Sequence, residues 1–189
     1  MSASVVFVSG GARSGKSQHA EALARALQQQ RGGRRWYLAT ARATDDEMVA
    51  RIARHQSARG AGWTTLEVPS ALADALDTVE TGATVLIDCL TVWAAHWLFE
   101  DGGDEHAGAA MLDCVLASAR ARRLALIVVS NDLNEDLPPT DPLTWRYLRF
   151  LQALHCRLAS AADAVIEVVG GVPMQWKPWS DRGDAGWLS

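Results

Sequence analysis

Apolar residues gather along this chain in five short, continuous runs: Val5 to Val8, Trp36 to Ala39, Val85 to Ile87, Leu124 to Val129 and Ala164 to Val169. They are rich in Val, Ile and Leu and lack polar alternation, which is how strands covered on both faces of a parallel sheet read. Between them the period changes. Gln18 to Gln30 carries Ala22, Leu23, Ala26 and Leu27 on one helical stripe and stops at Gly32-Gly33. Ser70 to Val79 sets Leu72, Ala75, Leu76 and Val79 together, with Ser70 after Pro69 as the expected cap. Leu90 to Leu98 reads as a further helix, and two longer ones are predicted from about His106 to Arg122 and from about Pro142 to Ala162. Thr44-Asp45-Asp46-Glu47 is a capping box that opens a helix to about Arg59. Strands alternating with such helices call for βαβ units with right-handed crossovers, so the predicted fold class is α/β, a mostly parallel sheet flanked by helices. No internal repeat or low-complexity linker interrupts it, and residues 1–189 are expected to form a single catalytic domain. The irregular stretches left over are Glu100 to Glu105, Asn131 to Asp141 and the tail from Gly170.

In an open α/β sheet the loops at the carboxyl ends of the strands hold the ligand. The first such loop is Ser9-Gly10-Gly11-Ala12-Arg13-Ser14-Gly15-Lys16-Ser17, which follows a strand, precedes a helix and fits G-x-x-x-x-G-K-[ST]. Its glycines let the backbone curl so that successive N–H groups face phosphate oxygens, and the following helix adds its N-terminal dipole. Lys16 is placed to reach the β and γ phosphates of a nucleotide, and the Ser17 hydroxyl to take one position on Mg²⁺. This chemistry also needs a strand-end acid, which Asp88 supplies after Val85-Leu86-Ile87; the competing reading of Asp88 is as cap of the helix from Leu90.

Bulk properties narrow the field further. With 49% hydrophobic residues the chain can bury a sizeable core, and a formal net charge of −4 argues against a broad positive field for nucleic acid. No apolar run approaches the roughly 20 residues of a membrane span, and the N-terminus lacks a basic leader pattern, so a cytoplasmic protein is expected. Cys89, Cys114 and Cys156, odd in number and each in an apolar pattern, read as buried thiols rather than metal ligands. His19 reads as a helix-surface residue; His96, His106 and His155 have no metal-ligand spacing. On the helix after Thr44, Arg51, His55 and Arg59 follow one another at four-residue steps. Flanking cations favour the neutral, nucleophilic imidazole while gripping phosphate, although a histidine beside an apolar stripe is also an ordinary packing residue.

Taken together, these residues resemble a known family, the bifunctional adenosylcobinamide kinase and adenosylcobinamide-phosphate guanylyltransferase of cobalamin biosynthesis. The likeness is carried by Gly10 to Ser17, Ala39-Thr40-Ala41, Asp45 to Met48 with Arg51-Ile52 and His55, and Trp63-Thr64-Thr65-Leu66-Glu67. It continues through Leu86 to Trp93, Val129-Ser130-Asn131, and Gly171-Val172-Pro173-Met174 before Lys177, in order over nearly the whole length. The resemblance implies a P-loop NTPase fold, similar to recombinase-type domains, and a homotrimer. It implies phosphorylation of adenosylcobinamide with ATP or GTP, then transfer of GMP from GTP through a guanylyl-histidine at His55. It also implies that the loop from Gly10 to Ser17, with Thr40, Ala41, Arg42, Gln56, Ser57, Ala58, Arg59, Glu67 and Asp88, lines the nucleotide site.

The chain departs from the family pattern at Asn131-Asp132-Leu133-Asn134-Glu135-Asp136-Leu137-Pro138-Pro139, where two glycines are lost and the acid is one methylene shorter. His96 and His155 stand where asparagines are common. These differences bear on the acceptor side of the site more than on nucleotide binding. Two other readings of the same residues are a small-molecule kinase without a covalent intermediate and a nucleotide-binding regulatory module without catalysis.

Overall fold

The computed structural model of the chain describes residues 2–42, 60–133 and 139–179. In chain order these form β1 (Ser4–Ser9), α1 (Lys16–Arg31), β2 (Arg35–Ala39), β3 (Trp63–Glu67), α2 (Leu72–Asp77), β4 (Thr84–Asp88), α3 (Leu90–Phe99), α4 (Glu105–Ala121), β5 (Ala125–Val129), α5 (Pro142–Ala161), β6 (Ala164–Val169) and β7 (Val172–Lys177). The strands make one seven-stranded sheet in the order β3-β2-β4-β5-β1-β6-β7. Every neighbouring pair is parallel except β6 and β7. The predicted α/β class is therefore what the chain adopts.

Burial explains why the apolar runs form the centre. All five residues of β5 have no accessible surface, and Val5, Val6, Val8, Val85 and Leu86 on its neighbours are equally closed. One face of the sheet takes α1 through Ala20, Leu23, Ala24 and Leu27. The other takes α2, α3, α4 and α5 through residues such as Leu72, Trp93, Leu112 and Leu154. Each fully buried aliphatic side chain contributes about 1.5–3 kcal/mol relative to exposure, so the two apolar layers dominate the stabilisation. Among the described residues Trp93 is the largest fully buried side chain, stacked on Trp97 at 5.6 Å with its indole N–H donated to Ser70 O.

Several local expectations are corrected. The second helix is only Leu72–Asp77, its N-cap is Ala71 without a side-chain cap, and Ser70 instead receives Trp93 through its carbonyl. Trp63–Glu67 is an outer strand, and from Gly170 the described residues turn into β7, which pairs antiparallel with β6 as a hairpin. Its turn residues Gly170 and Gly171 have φ of 56° and 86°, the left-handed values a tight two-residue hairpin needs. Cys114 and Cys156 are exposed and Cys89 is partly buried, because the helical period turns the first two outward between buried Leu112 and Val115, and between Leu154 and Leu158. His19 is half-buried and desolvation lowers its pKa, so it is no simple surface residue. The expected helix from Thr44 to Arg59 lies outside the described residues.

Candidate active site

β1 delivers the chain into the phosphate loop at Gly10, and α1 begins at Lys16. A Cβ at Gly10, where φ is 148°, would stand 2.4 Å from Val168 O and 2.7 Å from Ser14 Oγ; the first is backbone and cannot give way. Gly15 closes the loop in the left-handed region with φ of 92° and serves as N-cap, which its missing Cβ permits. Among the described residues no side chain caps this helix end, so its N-terminal dipole faces the loop. The loop is tied internally by Ser14 N–H to Gly11 O at 3.3 Å and by the buried Lys16, whose Nζ donates to Gly11 O at 2.9 Å. Ala12 and Arg13 are exposed, with Arg13 at φ of 58°, and Ser17 is half-buried in the first turn of α1.

Two other elements brace the loop. The β6–β7 turn donates Gly171 N–H to Ser14 O at 2.9 Å, and a Cβ at Gly15 would lie 3.6 Å from Gly171 Cα. On the other side, Asp132 N–H beyond β5 donates to Gly10 O at 3.0 Å. Neither brace has a local sequence signal, since both join residues far apart in the chain.

Strand register brings the remaining acids to the same edge. Asp88 ends β4 opposite Ala39 of β2, and Ala39 in turn stands opposite Glu67 of β3. Asp88 does not cap α3: Cys89 is the N-cap, and the Asp88 carboxylate accepts the Tyr37 hydroxyl at 2.9 Å. The fully buried Thr40 locks the exits of β2 and β4 together. Its Oγ1 donates to Cys89 O and accepts from Cys89 N–H, both at 2.8 Å, and its own N–H donates to Asp88 O. Burial pushes the Cys89 thiol up to about 11; Asp88 adds to the rise and Lys16 opposes it, so the acid and the lysine both act on this one group. Lys16 and Asp88 thus belong to a single electrostatic neighbourhood.

Other expected site residues sit farther out. Ala41 is half-buried beyond β2, and Arg42 donates to Glu100 Oε2 at 2.6 Å and Asp101 Oδ1 at 3.2 Å. A nucleotide that used Arg42 would have to take over that ion pair. Glu67 is exposed and, by strand order, four spacings from the phosphate-loop strand, about 19 Å. It is therefore placed for the far end of a ligand rather than for the phosphate cradle. His55, Gln56, Ser57, Ala58 and Arg59 lie outside the described residues.

The donor set suits a hard cation. Ser17 offers a hydroxyl and Asp88 a carboxylate, and among the described residues no three His, Cys, Asp or Glu side chains gather as a metal cage. Magnesium that arrives with a nucleotide is bound in this manner, through few protein oxygens plus phosphates and water. Among the described residues, no helix is long and apolar enough to cross a membrane.

Known proteins resemble the chain in sequence and in fold. The cobinamide kinase / cobinamide phosphate guanyltransferase family profile matches residues 6–176. The chain is 40% identical over 174 residues to a bifunctional adenosylcobalamin biosynthesis protein, CobP, of Pseudomonas aeruginosa, covering 90% of this chain and 96% of that one. It is 31% identical over 185 residues to the bifunctional adenosylcobalamin biosynthesis protein CobU of Escherichia coli, covering 92% and 99%. In fold it is similar to the flagellar accessory protein FlaH of Methanocaldococcus jannaschii, with a TM-score of 0.52 at 13% identity over 94% of this chain and 80% of that one. A KaiC-like protein of Pyrococcus horikoshii gives 0.51 at 11% identity over 88% and 71%. The phosphate loop, the strand-end acid and the order of the blocks thus lead to one conclusion: the chain belongs to the cobinamide kinase / cobinamide phosphate guanyltransferase family.

Proposed function

We propose that this protein phosphorylates adenosylcobinamide with ATP or GTP and then transfers GMP from GTP to the resulting phosphate, giving adenosylcobinamide-GDP. The observation that carries the reading is the emergence of the phosphate loop and Asp88 at one sheet edge with a single strand, β5, between theirs. The loop formed by Gly10, Gly11, Ala12, Arg13, Ser14 and Gly15 cradles the triphosphate, and Lys16 neutralises charge on the transferring phosphoryl. Such transfer is mainly positioning and electrostatics. Mg²⁺, held by Ser17 and Asp88 together with the phosphates, would share that neutralisation.

In the second reaction a ring nitrogen of His55 attacks the α-phosphorus of GTP, and the bond to the bridging oxygen breaks to release pyrophosphate. A phosphate oxygen of cobinamide phosphate then attacks the same phosphorus, the P–N bond breaks, and the imidazole is regenerated. Two steps avoid forcing two polyanions together in one. Thr40, Ala41, Arg42, Gln56, Ser57, Ala58, Arg59 and Glu67 complete the guanine nucleotide's surroundings in this reading.

The test is product analysis. Purified protein with adenosylcobinamide, ATP and Mg²⁺ should yield the phosphate ester, and added GTP should convert it to the GDP derivative, both resolved by liquid chromatography and mass spectrometry. Ester without the GDP derivative would leave a small-molecule kinase, and nucleotide binding with neither product a regulatory module.

The proposal includes a cytoplasmic homotrimer of one domain per chain. Its support is the outer strand β7, whose Val172, Met174 and Trp176 are 63%, 48% and 68% exposed along one face, an arrangement that favours covering by another chain. Light scattering after size exclusion should give about three times the 20.4 kDa chain mass. A monomer at micromolar concentration would contradict it.

A further inference from the structure

β5 lies between β4 and β1 in the sheet, so the turn after it stands between Asp88 and the phosphate loop. Three successive amides fix that turn, each to a different element. Ser130 N–H donates to Val8 O at the end of β1, Asn131 N–H to Thr91 Oγ1 at the start of α3, and Asp132 N–H to Gly10 O in the phosphate loop. The first and last are backbone pairs. The middle one depends on a side-chain hydroxyl, and that hydroxyl is itself held.

Thr91 Oγ1 is 2.9 Å from Ser130 Oγ, and Ser130 Oγ is 2.7 Å from His155 Nε2. Ser130 is fully buried and Thr91 nearly so. His155 reaches in from α5 with its ring 5.2 Å from Phe7, and the same helix sends the Tyr147 hydroxyl to Thr91 O at 3.0 Å. The chain of bonds is complete with a neutral imidazole of either tautomer, because both hydroxyls can reverse. Burial keeps the ring neutral by pushing its pKa down to about 4, with Asp132 opposing.

We propose that His155 is a positioning residue for phosphoryl transfer, acting through Ser130 and Thr91 to hold the Ser130–Asp132 turn between the phosphate loop and Asp88. The role rests on the phosphoryl-transfer reading above. Without the imidazole, Ser130 Oγ loses a buried partner, and the Ser130–Thr91 hydroxyl pair that fixes the acceptor of Asn131 N–H is no longer anchored from α5. A turn at the reacting end of the triphosphate then loses its register, and a misplacement of about 1 Å can cost on the order of a hundredfold in rate. Nucleotide affinity depends on the loop and is largely retained.

The experiment measures kcat and KM for phosphoryl transfer to adenosylcobinamide, with nucleotide Kd by titration, for the full chain and three variants. His155→Leu keeps the volume and removes the nitrogen; we expect kcat to fall tenfold or more while Kd stays within about threefold. His155→Gln presents an amide near the reach of Nε2 and should recover kcat to within about threefold, whereas Ser130→Ala should reproduce the loss. A purely structural histidine would move stability without this split or rescue. An unchanged kcat in His155→Leu, or a glutamine variant as slow as the leucine one, would overturn the proposal. If thermal melting shows that His155→Leu is unfolded, Ser130→Ala decides, and wild-type kcat there overturns it as well. A wild-type protein with no phosphoryl transfer would instead remove the proposed function and this role with it, a result distinct from an active wild type indifferent to His155.

Discussion

Replacing Lys16 by alanine is expected to depress phosphoryl transfer and guanylyl-enzyme formation together, each by on the order of 10²–10³-fold, the loss typical of one preorganised charge donor. The structure gives the reason for a loss in both. Lys16 is buried at the first position of α1, its Nζ lies against Gly11 O inside the loop, and its charge reaches Cys89 beside Asp88. A triphosphate seated on this loop meets the same ammonium whether its γ- or its α-phosphorus reacts. Steady-state kinetics for the ester and intact mass spectrometry for the adduct check the two arms, with circular dichroism to show that the variant folds.

His55→Ala should separate the two reactions. The GMP adduct disappears and the GDP derivative is no longer made, while phosphoryl transfer to adenosylcobinamide stays within a few-fold of the parent. The asymmetry follows from chemistry: only the second reaction needs a nucleophile on the protein, whereas the first needs charge neutralisation and alignment. The adduct should also be acid-labile, as a P–N bond is. Loss of phosphoryl transfer in a folded His55→Ala protein would show that this residue serves the kinase step as well.

How far these features could be read from sequence depends on how local their causes are. The phosphate loop was fully legible because Gly10 and Gly15 are needed where the backbone takes positive φ, and because the strand before and the helix after are short-range signals. Asp88 was legible as the polar end of an apolar strand, although only the structure shows that Tyr37 accompanies it in place of a capping amide. Trp63–Glu67 escaped because a short outer strand with two threonines and partial exposure lacks the continuous apolar run of its neighbours. β7 escaped because Pro173 and an exposed face argue against a strand, and only the outer position, paired on one side to β6, makes them tolerable. Adjacency to apolar residues is a poor guide for Cys114 and Cys156, whose exposure follows the helical period instead.

The chain from His155 through Ser130 to Thr91 was illegible for a different reason. Its members come from α5, the exit of β5 and the start of α3, and only the sheet order β4-β5-β1 brings them to one place. The same sheet order puts a turn without any motif of its own between two motifs that are easily recognised. Sequence blocks therefore identified the family and the nucleotide loop, whereas the parts that align them follow from topology.

One nucleotide site is expected to serve both reactions, and competition tests this most directly. A non-hydrolysable ATP analogue is titrated against the rate of GMP-adduct formation from GTP and, in parallel, against phosphoryl transfer. A shared site predicts complete inhibition of both, at the same analogue occupancy. Adduct formation that proceeds undiminished when the analogue has fully stopped phosphoryl transfer would contradict it.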